Sequence, residues 1–174
     1  MKETLIDLKT RRSVRAYTDK VPSDDILEKI MEAAVYAPTG MGKQSPKIVV
    51  ISDKEDRDYL ERLNAAVMGN PDAKTFYGAP VVAVVLADPD IMTYRDDGNL
   101  VIGNLLNAAH ALGVDSCYIY RAREVFASPE GKALLKKWGI DERYEGIGNC
   151  ILGYAAAEPA APRERKTDYV TYIR

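Results

Sequence analysis

Three arginines and a serine fall within five residues near the start of the chain, Arg11-Arg12-Ser13-Val14-Arg15. In an extended segment Arg11, Ser13 and Arg15 project to the same side, so one dianionic phosphate can receive all three. Each charge-assisted hydrogen bond of that kind contributes about 1.5 to 3 kcal/mol net. A solvated basic turn would use the same residues. A nucleic-acid contact fits less well, because Lys plus Arg number 24 against 26 Asp plus Glu, a net charge of -2, and no basic face accompanies the cluster. Phosphate recognition must therefore be local.

The second candidate is the stretch Ala37-Pro38-Thr39-Gly40-Met41-Gly42-Lys43-Gln44-Ser45. Its glycines let backbone groups approach a flat ligand, while Thr39 and Gln44 offer donors and acceptors. A dinucleotide fingerprint would need a third glycine where Ser45 stands, and a strand before the loop rather than a helix. A plain helix-stopping loop is the alternative.

Other chemistry is weakly represented. His110 lies in an apolar stretch with no Ser, Cys or Asp at a spacing that marks a triad, so it reads as a core histidine. Cys117 and Cys150 stand in apolar runs, far from any CxxC spacing, and read as buried reduced thiols with no metal site. Eleven tyrosines against two phenylalanines suit packing and interface hydrogen bonds more than catalysis.

The elements that must hold these residues alternate. Ser23 precedes a capped amphipathic helix carrying Ile26, Ile30, Ala33 and Ala37 at three- and four-residue steps. Residues 47 to 52 read as a strand, with Asp53 capping a charged helix over 54 to 68. PVVAVVLA at 80 to 87 is apolar on both faces, as in the middle of a covered sheet. The helix over 97 to 112 is apolar almost all round and needs burial on most sides, a subunit interface included. Residues 116 to 120 and 146 to 154 read as strands, and Ser128 with Pro129 opens a helix reaching Trp138. Pro159 and Pro162 lead into a basic, aromatic tail, RERKTDYVTYIR.

With 47% hydrophobic residues, 174 residues suffice for one domain burying roughly 70% of its unfolded surface. No linker divides the chain, so residues 1 to 174 are expected to form a single α+β domain. No segment approaches the roughly 20 apolar residues of a membrane span, nor does MKETLIDLKT carry a signal-peptide core. A cytoplasmic protein without membrane or nucleic-acid partners is expected.

The RRSVR start, the APTGMGKQS loop, the DGNLVIGNLLNAAHALGVDSCYI block and the late ILGY followed by a basic tail resemble, in that order and spacing, the nitroreductase family. The likeness covers essentially the whole chain. It implies a mixed β-sheet flanked by helices, a domain-swapped homodimer, and an FMN cofactor between subunits, reduced by NADH or NADPH. Arg11, Arg12, Ser13 and Arg15 would hold the phosphate and pyrimidine edge, with Arg163 and Arg165 as a second phosphate grip. Pro38, Thr39, Gly40 and Gln44 would reach the flavin from the other subunit. Tyr118, Ile119, Tyr120 and Arg121 would lie along the ring, a backbone N–H near Tyr120 facing N5. Lys74 resembles, by spacing alone, a position near N1 and O2. The tail, about 159 to 174, would dock on the partner.

The activity so implied is electron transfer from NAD(P)H to nitroaromatic, quinone or similar small organic acceptors. Both partners would use one flavin face in turn, hence ping-pong kinetics. Alternatives are a flavin-binding store or sensor without turnover, reductive dehalogenation, or flavin fragmentation. Gly42, Ser45 and Tyr120 depart from the residues many members carry (Asn, Pro and, in some, an acidic residue), so contacts to the ring edge are expected to differ. The stretch from Gly78 to Asp97 is too short for the covering helices of longer relatives, which implies an open pocket.

Overall fold

Strand β2 (Val81–Ala87), seven residues with no exposed side chain, sets the architecture. In the computed structural model, which describes residues 2–174, it pairs with β1 (Pro46–Ile51) on one side and β4 (Glu145–Gly153) on the other. Strand β3 (Asp115–Ile119) completes the order β1-β2-β4-β3, every pairing antiparallel. The parallel component expected of a mixed sheet comes down to one bridge, between Ser13, which lies in no strand, and Ser116 of β3.

Because successive side chains of a strand alternate, β2 supplies two cores at once. Val81, Ala83, Val85 and Ala87 face one side, against α2 (Asp24–Val35) and α4 (Tyr94–Ala111). Val82, Val84 and Leu86 face the other, against α3 (Lys54–Val67), α5 (Ala122–Ala127) and α6 (Pro129–Lys137). Fully burying a Val or Leu side chain is worth about 1.5 to 3 kcal/mol, so this run is the main apolar commitment of the sheet.

Cap chemistry fixes two helix starts as the sequence predicts, while Ser23 precedes α2 without a side-chain cap bond. Asp53 accepts the Asp56 N–H at 2.9 Å, and Ser128 accepts that of Gly131 at 3.1 Å with Pro129 in the first turn. Such a cap contributes about 1 kcal/mol. The helix predicted over 97 to 112 begins three residues earlier, at Tyr94. Two helices escape the sequence reading, α1 (Glu3–Thr10) and α5. Helix α1 buries none of its residues; Leu5, Ile6 and Leu8 stay about half exposed. After Gly153 the chain leaves the sheet without forming a helix or strand, and Tyr169, Val170, Tyr172 and Ile173 are exposed. No described helix is long and apolar enough to cross a membrane.

Candidate functional site

Beyond α1 the arginine segment runs along the outer edge of β3. Val14 is buried, and its N–H donates to Ser116 O at 3.1 Å. With Val14 turned inward, the alternation of an extended chain leaves Ser13 half-buried and Arg15 exposed. Arg11 is half-buried too, yet its Nη1 is fully buried and has no hydrogen-bond partner. Ser116 Oγ, on the adjoining strand, is likewise buried and unpartnered. A guanidinium nitrogen and a hydroxyl left unsatisfied in this way cost about 1 to 3 kcal/mol or more apiece unless a ligand or solvent atom reaches them. Arg12 is used locally: its Nη1 donates to Lys9 O and Arg11 O, both at 2.7 Å, at the C-terminal end of α1.

At its other end β3 runs into Tyr120 and Arg121. Ile119 is buried in the core, so only its backbone is available to a ligand, while Tyr120 is 62% exposed. Tyr118 is half-buried and donates its hydroxyl to Ile147 O at 3.2 Å. Its ring lies where a side chain on Gly148 would stand, so that glycine is required. Burial raises the Tyr118 phenol above its usual range, with Tyr120 and Glu124 adding to the shift. Arg121 has φ 79°, a left-handed conformation unusual for a residue with a side chain.

The cause lies in α3. Asn64, fully buried, donates Nδ2 to Tyr120 O at 2.8 Å and accepts Arg121 Nε at 3.1 Å. One turn earlier Glu61 accepts the Phe76 N–H at 2.7 Å. Residues three apart on a helix lie side by side, so one stretch of α3 holds both the Phe76 backbone, two residues after Lys74, and the Tyr120–Arg121 turn. Lys74 is exposed, beside buried Thr75, whose Oγ1 has no partner.

The loop after α2 is held by a second buried polar residue. Asp97, 2% exposed, accepts Gly40 N–H at 2.9 Å, Ser45 Oγ at 2.9 Å and Thr93 Oγ1 at 3.0 Å. A side chain on Gly40 would run into Thr93. Thr39 Oγ1 accepts the Gln44 N–H at 3.1 Å, and Met41 and Gln44 both adopt positive φ. Pro38 and Gln44 are exposed, Thr39 and Gly40 half-buried. Thr39 and Gln44 also line a groove of about 500 Å³ with Met31, Val35, Ile48 and Val50.

These parts do not all meet within one chain. The loop enters β1 at Pro46, which pairs with Ala87, itself opposite Glu145. Tyr120 and Arg121 lie at the same end of the sheet but beyond β3, three strand spacings away, roughly 14 Å. Ser13 is farther still, since Ser116 pairs with Leu152 near the opposite end of β4; the diagonal is on the order of 25 Å. Arg163 and Arg165 are exposed in the tail, with no hydrogen bond to the arginine segment.

The model of the nitroreductase family matches residues 8–154. This chain belongs to that family. It is 32% identical over 165 residues to an Archaeoglobus fulgidus protein provisionally named NADH dehydrogenase/NAD(P)H nitroreductase, covering 91% of this chain and 88% of that one. The fold is similar to a nitroreductase with bound FMN from Bacteroides fragilis, TM-score 0.91 at 29% identity, and to another with bound FMN from Desulfitobacterium hafniense, TM-score 0.89 at 29% identity. Both chains are covered entirely in each comparison.

Sequence reasoning missed Asn64, Glu61 and Asp97. A signal existed for two of them. Asn64 stands four residues after buried Leu60 and Asp97 four before buried Val101, each on the apolar stripe of its helix, where a polar residue must find partners.

Proposed function

We propose that this nitroreductase-family chain is an FMN-dependent oxidoreductase, a cytoplasmic homodimer passing electrons from NADH or NADPH to nitroaromatic, quinone or similar small organic acceptors. The buried, unpartnered Arg11 Nη1, two residues before the Ser13 that bridges to Ser116, carries this reading. The segment is a cationic donor set at one end of a strand whose other end presents an exposed aromatic and left-handed backbone. A ligand serving both ends is elongated, with a phosphate at one end and a flat ring at the other, which is the shape of FMN.

Bound there, FMN would supply two-electron transfer between nicotinamide and acceptor. The chain's own residues divide the remaining work. Arg11, Ser13 and Arg15 hold the phosphate, with Arg12 completing the segment and Arg163 and Arg165 added from the tail. Tyr118 to Arg121 form the rest on which the ring lies. Lys74, in the segment that α3 holds through Glu61 and the Phe76 N–H, would supply a cation at the ring edge, where negative charge accumulates on reduction. Pro38, Thr39, Gly40 and Gln44 serve the partner's site, because their own is three strand spacings away. The exposed faces of α1 and the tail are the apolar surface a second copy would cover.

Purified protein is expected to be yellow, with about one FMN per chain. Arg11→Ala combined with Arg15→Ala removes two charge-assisted contacts and should weaken FMN binding about a hundredfold or more. Bound FAD, or unchanged FMN retention in the double variant, would overturn the phosphate site. Steady NAD(P)H oxidation with an acceptor separates the enzyme from a flavin store or sensor.

A further inference from the structure

Asn64 makes no contact with solvent, yet both ends of its amide are committed to one turn, Tyr120 O at 2.8 Å and Arg121 Nε at 3.1 Å. In a trans peptide the carbonyl and the following N–H point in opposite directions. Fixing the Tyr120 carbonyl on α3 therefore turns the Arg121 N–H away from α3, towards the side of the sheet that carries α4. On that side Tyr118, Tyr120, Arg95 and Asn99 line a hollow of about 190 Å³. No described residue accepts a hydrogen bond from the Arg121 N–H. The left-handed φ of Arg121 costs about 1 to 3 kcal/mol, so the fold holds a strained residue in a conformation that turns an uncommitted donor towards that hollow, the kind of strain that clusters at ligand sites.

We infer that Asn64 is a positioning residue for the electron-transfer site: it aims the Arg121 N–H at an acceptor nitrogen on the edge of the bound flavin. The inference rests on the FMN reading above. A donor held in place by a buried side chain needs no reorganisation as charge grows on the ring, which makes a preorganised N–H effective. Phosphate binding, at the far end of β3, does not involve Asn64.

The test uses the full-length, FMN-loaded protein and two variants. Asn64→Ala removes both contacts; Asn64→Asp keeps the size and the acceptor for Arg121 but loses the donor to Tyr120 O. Nitrogen-15 NMR of wild type should show the Arg121 amide shifting downfield and exchanging more slowly with solvent when FMN is added to the apoprotein. In either variant the shift should shrink and the flavin's midpoint potential should fall. Its reduction by NAD(P)H should slow about tenfold to a hundredfold, while the FMN dissociation constant changes less than about threefold. An Arg121 amide in wild type indifferent to FMN would overturn the inference even if both variants failed to fold. So would folded variants whose shift, potential and reduction rate match wild type. If the protein binds no FMN at all, it is the function reading that fails.

Discussion

Asp97 accepts the backbone N–H of Gly40 at 2.9 Å, so a buried carboxylate on α4 fixes the loop following α2. Two more donors, Ser45 Oγ and Thr93 Oγ1, converge on the same group. Asp97→Ala would leave buried Ser45 and the Gly40 amide without partners, at a cost of about 2 to 4 kcal/mol. For a chain of this length that lowers Tm by about 5 to 15 °C. Ser45→Ala, which deletes one bond and keeps the carboxylate, should cost about 1 kcal/mol. Thermal unfolding of the two variants checks the ordering, and an Asp97→Ala protein as stable as Ser45→Ala contradicts it.

The contrast between what the sequence discloses and what it hides follows from where each signal resides. Strand β2 is legible because seven apolar residues in a row have few other places to go, and α6 because Ser128 and Pro129 are a local cap. Helix α1 is not, since Leu5, Ile6 and Leu8 form no face that its own chain covers. Helix α5 has only six residues, buried by contacts with β4 and α6 that no window reveals. The arginine segment and the glycine loop announce themselves by composition. Their separation across the sheet and the clasps at Asn64 and Asp97 are properties of register and packing, written in no short motif.

The tail should couple assembly to cofactor binding. Tyr169, Val170, Tyr172 and Ile173 are exposed, β1 is an edge strand, and Arg163 and Arg165 are unengaged with their own phosphate segment. Deleting residues 159 to 174 should therefore shift the protein towards monomer and lower its FMN content together. Sizing chromatography and flavin absorbance read the two effects. A truncated chain that remains dimeric and fully loaded would defeat the coupling.

Between α3 and α6, Asp56 accepts Trp138 Nε1 at 2.9 Å and pairs with Lys137. The Lys137 ammonium, then the indole N–H, hold the carboxyl below the usual carboxylate range. A pKa depressed by folding gives stability that is full above the ordinary carboxylate pKa and is lost as pH falls through the folded value. Asp56→Asn, similar in shape but uncharged, should be less stable than wild type near pH 7 by about 1 kcal/mol, since Lys137 is solvent-exposed and screened. The difference should shrink towards zero as the pH drops below 4. Denaturant midpoints across that range decide it; a pH-independent difference would mean the charge is irrelevant.

The last prediction concerns which side chains the turnover needs. Cys117 and Cys150 are buried free thiols, and burial pushes the Cys150 thiol up to about 12, with Cys117 adding to the shift and Arg11 opposing it, so Cys150 offers no thiolate nucleophile at neutral pH. His110 Nε2 lies 2.8 Å from Thr10 Oγ1, where it ties α4 to α1. If the electrons pass directly between stacked ring systems, none of the three takes part. His110→Asn, Cys117→Ala and Cys150→Ala should each keep kcat within about tenfold, a barrier change under roughly 1.4 kcal/mol. Lys74→Ala should behave otherwise: flavin reduction slows and its potential falls while FMN stays bound, because the proposed phosphate grip is the Arg11–Arg15 segment at the other end of β3. If one ring face serves both nicotinamide and acceptor, initial-rate lines at varied concentrations of the two should be parallel. Stopped-flow reduction of the four variants and steady-state kinetics of the wild type provide the check. Intersecting lines would mean that nicotinamide and acceptor bind together and not in turn at one face, and a thousandfold loss in a folded cysteine or His110 variant would put a side chain in the chemistry; either result overturns this account.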